Sequence, residues 1–116
     1  MGGSLVRLET VAGVATITLD SPHNRNALSR QLVTELVEAI SAVEHDEQAK
    51  IVVLRSADRV FCSGADLSEA AEGMMAEGAQ ALVALQRTIA ASAKPYVCRL
   101  AGPVRAGGLG LVGACD

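Results

Sequence analysis

The chain has 116 residues, half of them apolar and a fifth charged, with a net charge of −3. That suffices for one domain, residues 1–116, whose modest core needs no disulfide or metal to hold it. Charges of both signs are interspersed, so the basic patch that nucleic-acid binding requires is missing, and no run approaches the roughly 18 apolar residues that would span a bilayer. Met1-Gly-Gly-Ser lacks the charged and apolar regions of a signal peptide, which leads to the expectation of a cytoplasmic protein without a membrane partner. With one Tyr, one Phe and no Trp, the core must come from Leu, Val, Ile and Ala. The three cysteines, Cys62, Cys98 and Cys115, are odd in number and lack C-x-x-C spacing, so they read as buried thiols rather than a disulfide framework or zinc site. A nucleophilic Cys62 would need a histidine partner, and spacing places neither His23 nor His45 beside it.

In chain order, Leu5 to Thr10 and Val14 to Asp20 read as a hairpin around Val11-Ala12-Gly13. Val14, Thr16 and Thr18 alternate with Ala15, Ile17 and Leu19, the pattern of a half-buried strand. A loop from Asp20 to Asn26, with Pro22, leads to Ser29 as a helix N-cap. Leu32, Leu36, Ile40 and Val43 then recur at helical spacing, supported by Val33 and Val37, with Arg30, Gln31, Thr34, Glu35 and Glu38 on the outer face.

Ile51-Val-Val-Leu54 suits a strand buried on both faces, as in a parallel sheet, which makes the preceding helix a βαβ crossover. Val60 to Leu67 runs from an apolar segment through a glycine turn into a helix start, and ligands of α/β folds bind at such strand ends. Residues 68 to 78 hold Gly73 and Gly78, which weaken any helix and suggest mobility. Leu82, Leu85 and Ile89 share one face of a second helix closed by Lys94-Pro95. Tyr96 to Ala101 is a further strand, and Gly102-Pro103 turns the chain toward a glycine-rich run from Ala106 to Asp116.

Gly108-x-Gly110-x-x-Gly113 fits a dinucleotide fingerprint only in part, because residues 102–107 separate it from the strand and the answering acid would fall beyond Asp116. Both this run and Ser63-Gly64-Ala65-Asp66 lie between a strand and a helix start, where unpaired backbone NH groups are backed by the helix dipole. If the fold brings the two together, their donors converge on one oxygen as an oxyanion hole.

Asn24-Arg-Asn-Ala-Leu28, Phe61-Cys-Ser-Gly-Ala-Asp-Leu67 and the run from Gly102 to Asp116 together resemble consecutive signatures of the enoyl-CoA hydratase/isomerase, or crotonase, family. The resemblance extends along the whole chain and implies an α/β fold of ββα units wound as a spiral, of the ClpP/crotonase type. It covers about the first half of a typical member and stops before the C-terminal helical region. It also implies an acyl-CoA substrate, with coenzyme A part of that substrate and no separate cofactor or metal. The full-length protein is then expected as a homotrimer or hexamer acting in fatty acid metabolism, as a lyase or isomerase, with this piece alone inactive.

By position, the resemblance makes the NH groups of Ala65 and Gly107 the oxyanion donors. Arg25, Ala27 and Leu28 fall on the loop along the pantetheine and nucleotide of CoA, and Ser63, Asp66 and Leu67 border the thioester and adenine. Gly110, also counted as substrate-binding, stands where typical hydratases carry a glutamate, and their second acid would lie beyond Asp116. Leu109 and Leu111 cannot replace that glutamate. The residues therefore leave a non-catalytic acyl-CoA binder beside the enzyme.

Several other side chains have simpler readings. Asp66 suits a helix cap, Arg105 and His23 suit solvated surface, Met74 and Met75 suit packing, and Glu69 with Glu72 suits a solvated helix face.

Overall fold

In the computed structural model, residues 4–24, 26–57, 60–62, 75–102 and 107–116 are described. Val6–Val11 (β1) and Val14–Leu19 (β2) pair antiparallel, with Val6 opposite Leu19 and Val11 opposite Val14. Val11 thus belongs to the strand, and Ala12-Gly13 alone makes the turn, with φ of 50° and 83°. Positive φ at both central positions matches the right-handed twist of the strands it joins.

Arg30–Glu44 forms α1, capped by Ser29, whose Oγ accepts a hydrogen bond from the Leu32 amide at 3.1 Å. Leu32, Leu36, Ile40 and Val43 are buried as the spacing predicts, each stabilising the fold by roughly 1.5–3 kcal/mol. Val33 joins them, but Val37 is 41% exposed: one residue beyond Leu36, it is carried around to the outer flank. Glu35 is partly buried rather than on the open outer face, and its Oε1 accepts from the amides of Leu5 and Val6 at 2.8 and 3.0 Å. It ties the helix to the start of β1.

The chain returns through Ile51–Ser56 (β3), parallel to β2, and Tyr96–Cys98 (β4), parallel to β3, giving one sheet in the order β1-β2-β3-β4. Alternation, not burial on both faces, governs β3. Val52, Leu54 and Ser56 are buried, whereas Ile51 is 41% exposed and Val53 and Arg55 are intermediate, because the helices pack against one face. On the other face, Arg7, Glu9, Thr16, Thr18 and Arg55 border an open groove of about 550 Å³.

Met75–Ala91 forms α2 and Gly107–Ala114 forms α3. Helix α2 begins within the stretch expected to be weak and runs through Gly78, its length and its burial of Leu85 and Ile89 outweighing the cost of one glycine. The rest of that stretch, including Glu69, Glu72 and Met74, lies outside the described residues. Strand β4 stops at Cys98 rather than reaching Ala101: the Arg99 amide still bonds Leu54 O at 2.9 Å, but Arg99 and Leu100 are exposed and the ladder ends. Among the described residues, no helix is long and apolar enough to cross a membrane.

Candidate functional site

Strands β2, β3 and β4 run parallel, so their C-terminal ends share one edge of the sheet, and the segments leaving those ends carry the candidate residues. Asn26 organises this edge. Its side chain is fully buried, and its φ of 57° is a left-handed conformation that asparagine tolerates better than most residues. Oδ1 accepts from the Ser21 amide at 2.7 Å, while Nδ2 donates to Ser56 Oγ at 2.8 Å, to Val60 O at 2.9 Å and to Phe61 O at 3.1 Å. Ser56 Oγ in turn donates to Val60 O at 2.9 Å.

One carboxamide therefore joins the loop after β2, the end of β3 and the backbone that leads toward Ser63-Gly64-Ala65-Asp66. Phe61 and Cys62 anchor that backbone in the core. Asn26 sits in the Asn24–Leu28 signature but carried no assigned role there. The three partners of its Nδ2 stand 30 to 35 residues away in sequence, beyond the reach of local pattern.

The glycine run does open a helix, with Gly107 its first residue. Beyond that helix, the Tyr96 amide donates to Asp116 Oδ2 at 2.9 Å and the Asp116 amide donates to Tyr96 O at 2.8 Å, which fixes the far end of α3 against the start of β4. Cys98 and Cys115 meet in the same region and are half-buried, in contrast to buried Cys62. The hydrogen bond Cys98 gives to Cys115, aided by burial, pushes the Cys98 thiol well up. The same bond draws Cys115 down against the opposing effect of burial.

Gly110, one turn into α3, faces the middle of α2. A Cβ built there would overlap the Gln86 carboxamide nitrogen and lie 2.9 Å from Gln86 Cδ. A side chain at 110 would therefore push the flexible tip of Gln86 aside. Gly113 has open space instead.

Of the other candidates, Ala27 is buried at 6% exposure and Leu28 is half-buried against the core, so a ligand outside would meet chiefly their backbone. Arg25, Ser63, Ala65, Asp66, Leu67 and Arg105 lie outside the described residues. His23 is exposed in a short 3-10 turn, Pro22–Asn24. Among the described residues, no group of three His, Cys, Asp or Glu side chains could hold a metal ion.

The sequence model of the enoyl-CoA hydratase/isomerase family matches residues 9–116. The chain belongs to this family. It is 36% identical to human enoyl-CoA hydratase domain-containing protein 2, mitochondrial, over 99% of this chain and 42% of that protein. It is also 36% identical to 4-chlorobenzoyl coenzyme A dehalogenase-2 of Arthrobacter sp, over 96% of this chain and 43% of that one. The crystal structure of an enoyl-CoA hydratase from Mycobacterium avium superposes with a TM-score of 0.87 at 43% identity, covering 99% of this chain and 46% of that chain. The fold is therefore the crotonase fold, and the chain spans less than half the length of these relatives.

Proposed function

We propose that the protein of which these residues form the family's N-terminal part binds an acyl-CoA thioester and stabilises an enolate of it. The carrying observation is that α3 opens at Gly107, on the chain leaving the edge of the sheet where Asn26 also holds the backbone of Val60 and Phe61, just before Ala65 in sequence. The chemistry needs such a place. Removing a proton beside a thioester carbonyl, or adding a nucleophile across its double bond, puts negative charge on the thioester oxygen. Two backbone NH groups, from Gly107 and Ala65, meet that charge without reorganising, and the dipole of α3 adds to the first.

In this reading Arg25, Ala27 and Leu28 border the pantetheine and nucleotide of CoA, Ser63, Asp66 and Leu67 border its thioester and adenine, and Gly110 lies against the bound substrate. Coenzyme A enters as part of the substrate, and the whole protein works as a trimer or pair of trimers in the cytoplasm. Isomerisation or hydration of an enoyl-CoA is the reaction proposed. The dehalogenase relative acts, by its name, on a different coenzyme A ester, which leaves the reacting group to residues that differ among members.

The test uses the first helical position of α3. Proline is tolerated there because the amide it lacks makes no intrahelical bond. In the full-length protein, Gly107→Pro should therefore keep the helix while deleting the donor. Turnover of crotonyl-CoA is expected to fall by roughly 10²–10³, the usual cost of one oxyanion donor. Full turnover in a folded Gly107→Pro protein would sink the oxyanion role.

One observation favours a second reading, an acyl-CoA binder without hydratase activity. Gly110 offers no acid, and among the described residues the side chain that lies against it is the neutral Gln86. Calorimetric binding of an unreactive acyl-CoA by the full-length protein, with no turnover of crotonyl-CoA, would select it.

A further inference from the structure

Helix α2 buries Leu85 and Ile89 and partly buries Leu82 against the core. Gln86, four residues after Leu82 and three before Ile89, falls on the flank of that apolar stripe, where packing alone would favour a hydrocarbon side chain. It is half-buried, and among the described residues its carboxamide has no protein hydrogen-bond partner. The carboxamide instead lies over the bare Cα of Gly110, where a Cβ would meet its flexible tip. A polar group has thus been brought from another helix to the first turn of α3, with its donor and acceptor unpaired among the described residues.

We propose that Gln86 is a specificity-determining residue that hydrogen-bonds an oxygen on the acyl group, so that this site prefers acyl thioesters bearing a hydroxyl or carbonyl to plain hydrocarbon chains. This rests on the acyl-CoA reading above. A carboxamide suits the task because it both donates and accepts, and it stays uncharged at any working pH, so it orients a neutral oxygen without acting as an acid or base. A side chain at 110 would push the amide away from this position.

The experiment is calorimetry on the full-length protein with two ligands of equal chain length, a 3-hydroxyacyl-CoA and the saturated acyl-CoA. The readout is the ratio of their affinities. Wild type should favour the hydroxylated ligand, and Gln86→Leu, which preserves volume and helix propensity, should reduce that ratio about fivefold, the value of one ordinary hydrogen bond. Gly110→Ala should reduce it similarly with Gln86 intact, because the new methyl pushes the carboxamide away.

An affinity ratio that neither variant changes overturns the role of Gln86 and leaves acyl-CoA binding standing. Loss of affinity for both ligands in equal proportion makes Gln86 a packing residue and also overturns it. Failure of wild type to bind either ligand overturns the underlying function together with this inference.

Discussion

Asn26 carries two demands that separate by substitution. Its left-handed backbone favours Asn or Gly over Ala, and its carboxamide satisfies partners on three segments. Asn26→Gly keeps the backbone conformation and removes the bonds, whereas Asn26→Ala loses both. Leaving the Ser21 amide and the Phe61 carbonyl without Asn26, while Val60 O keeps Ser56 Oγ, should cost about 2–3 kcal/mol in Asn26→Gly, with about 1 kcal/mol more in Asn26→Ala for backbone strain. Urea unfolding of the two variants checks the order. Equal stability of both would mean that φ contributes nothing there. The sequence announced an asparagine-rich loop, but the buried role of this one depends on Ser56 and Phe61, which only the folded sheet brings to it.

At the scale of elements, periodicity revealed α1 almost completely, because its buried face and its Ser29 cap both lie within 15 consecutive residues. Strand ends were less legible. Tyr96 to Ala101 looks uniformly strand-like, yet where β4 leaves the ladder is decided by exposure of Arg99 and Leu100.

The tie from α1 to β1 was also hidden, since Glu35 reads as surface charge until the amides of Leu5 and Val6 are seen on it. Burial raises the pKa of Glu35, but hydrogen bonds from Gln31, Val6 and Leu5 outweigh it and leave the value lowered. A carboxylate lowered on folding contributes stability above its unfolded pKa and loses it as pH falls through the folded value. Glu35→Ala should therefore cost about 1 kcal/mol near neutrality, given partial solvent screening, and the gap from wild type should close as the pH falls below the carboxylate range. Urea midpoints across pH measure it. A companion change at the hairpin should stabilise: Ala12, with φ of 50°, is strained by its Cβ, and Ala12→Asn should raise stability by up to about 1 kcal/mol.

Across the whole molecule, the order of elements and the glycine-opened helix were legible because each rests on local chemistry, whereas the polar contacts that lock helices to the sheet join distant residues. One of these locks gathers the ends of α1 and α2 and the start of β4. Glu44 Oε2 accepts from Tyr96 Oη and from Ser92 Oγ, each at 2.7 Å, and Lys94 Nζ donates to the carbonyls of Val43 and Asp46, the latter at 2.8 Å. Tyr96 is 1% exposed, and burial together with its hydrogen bond to Glu44 and the charge of that carboxylate pushes its pKa far above the usual tyrosine value.

The folded state therefore keeps the phenol protonated at a pH where the unfolded chain ionises it. Stability from this group is complete below about pH 10 and declines as pH rises beyond that. Tyr96→Phe removes the hydroxyl and with it the alkaline decline, but Glu44 keeps only Ser92 from this pair of donors. The variant should thus be less stable by about 1–2 kcal/mol near neutral pH and should converge on wild type above about pH 10. Chemical denaturation at neutral and alkaline pH distinguishes this from loss of packing, which would displace the two curves equally at every pH.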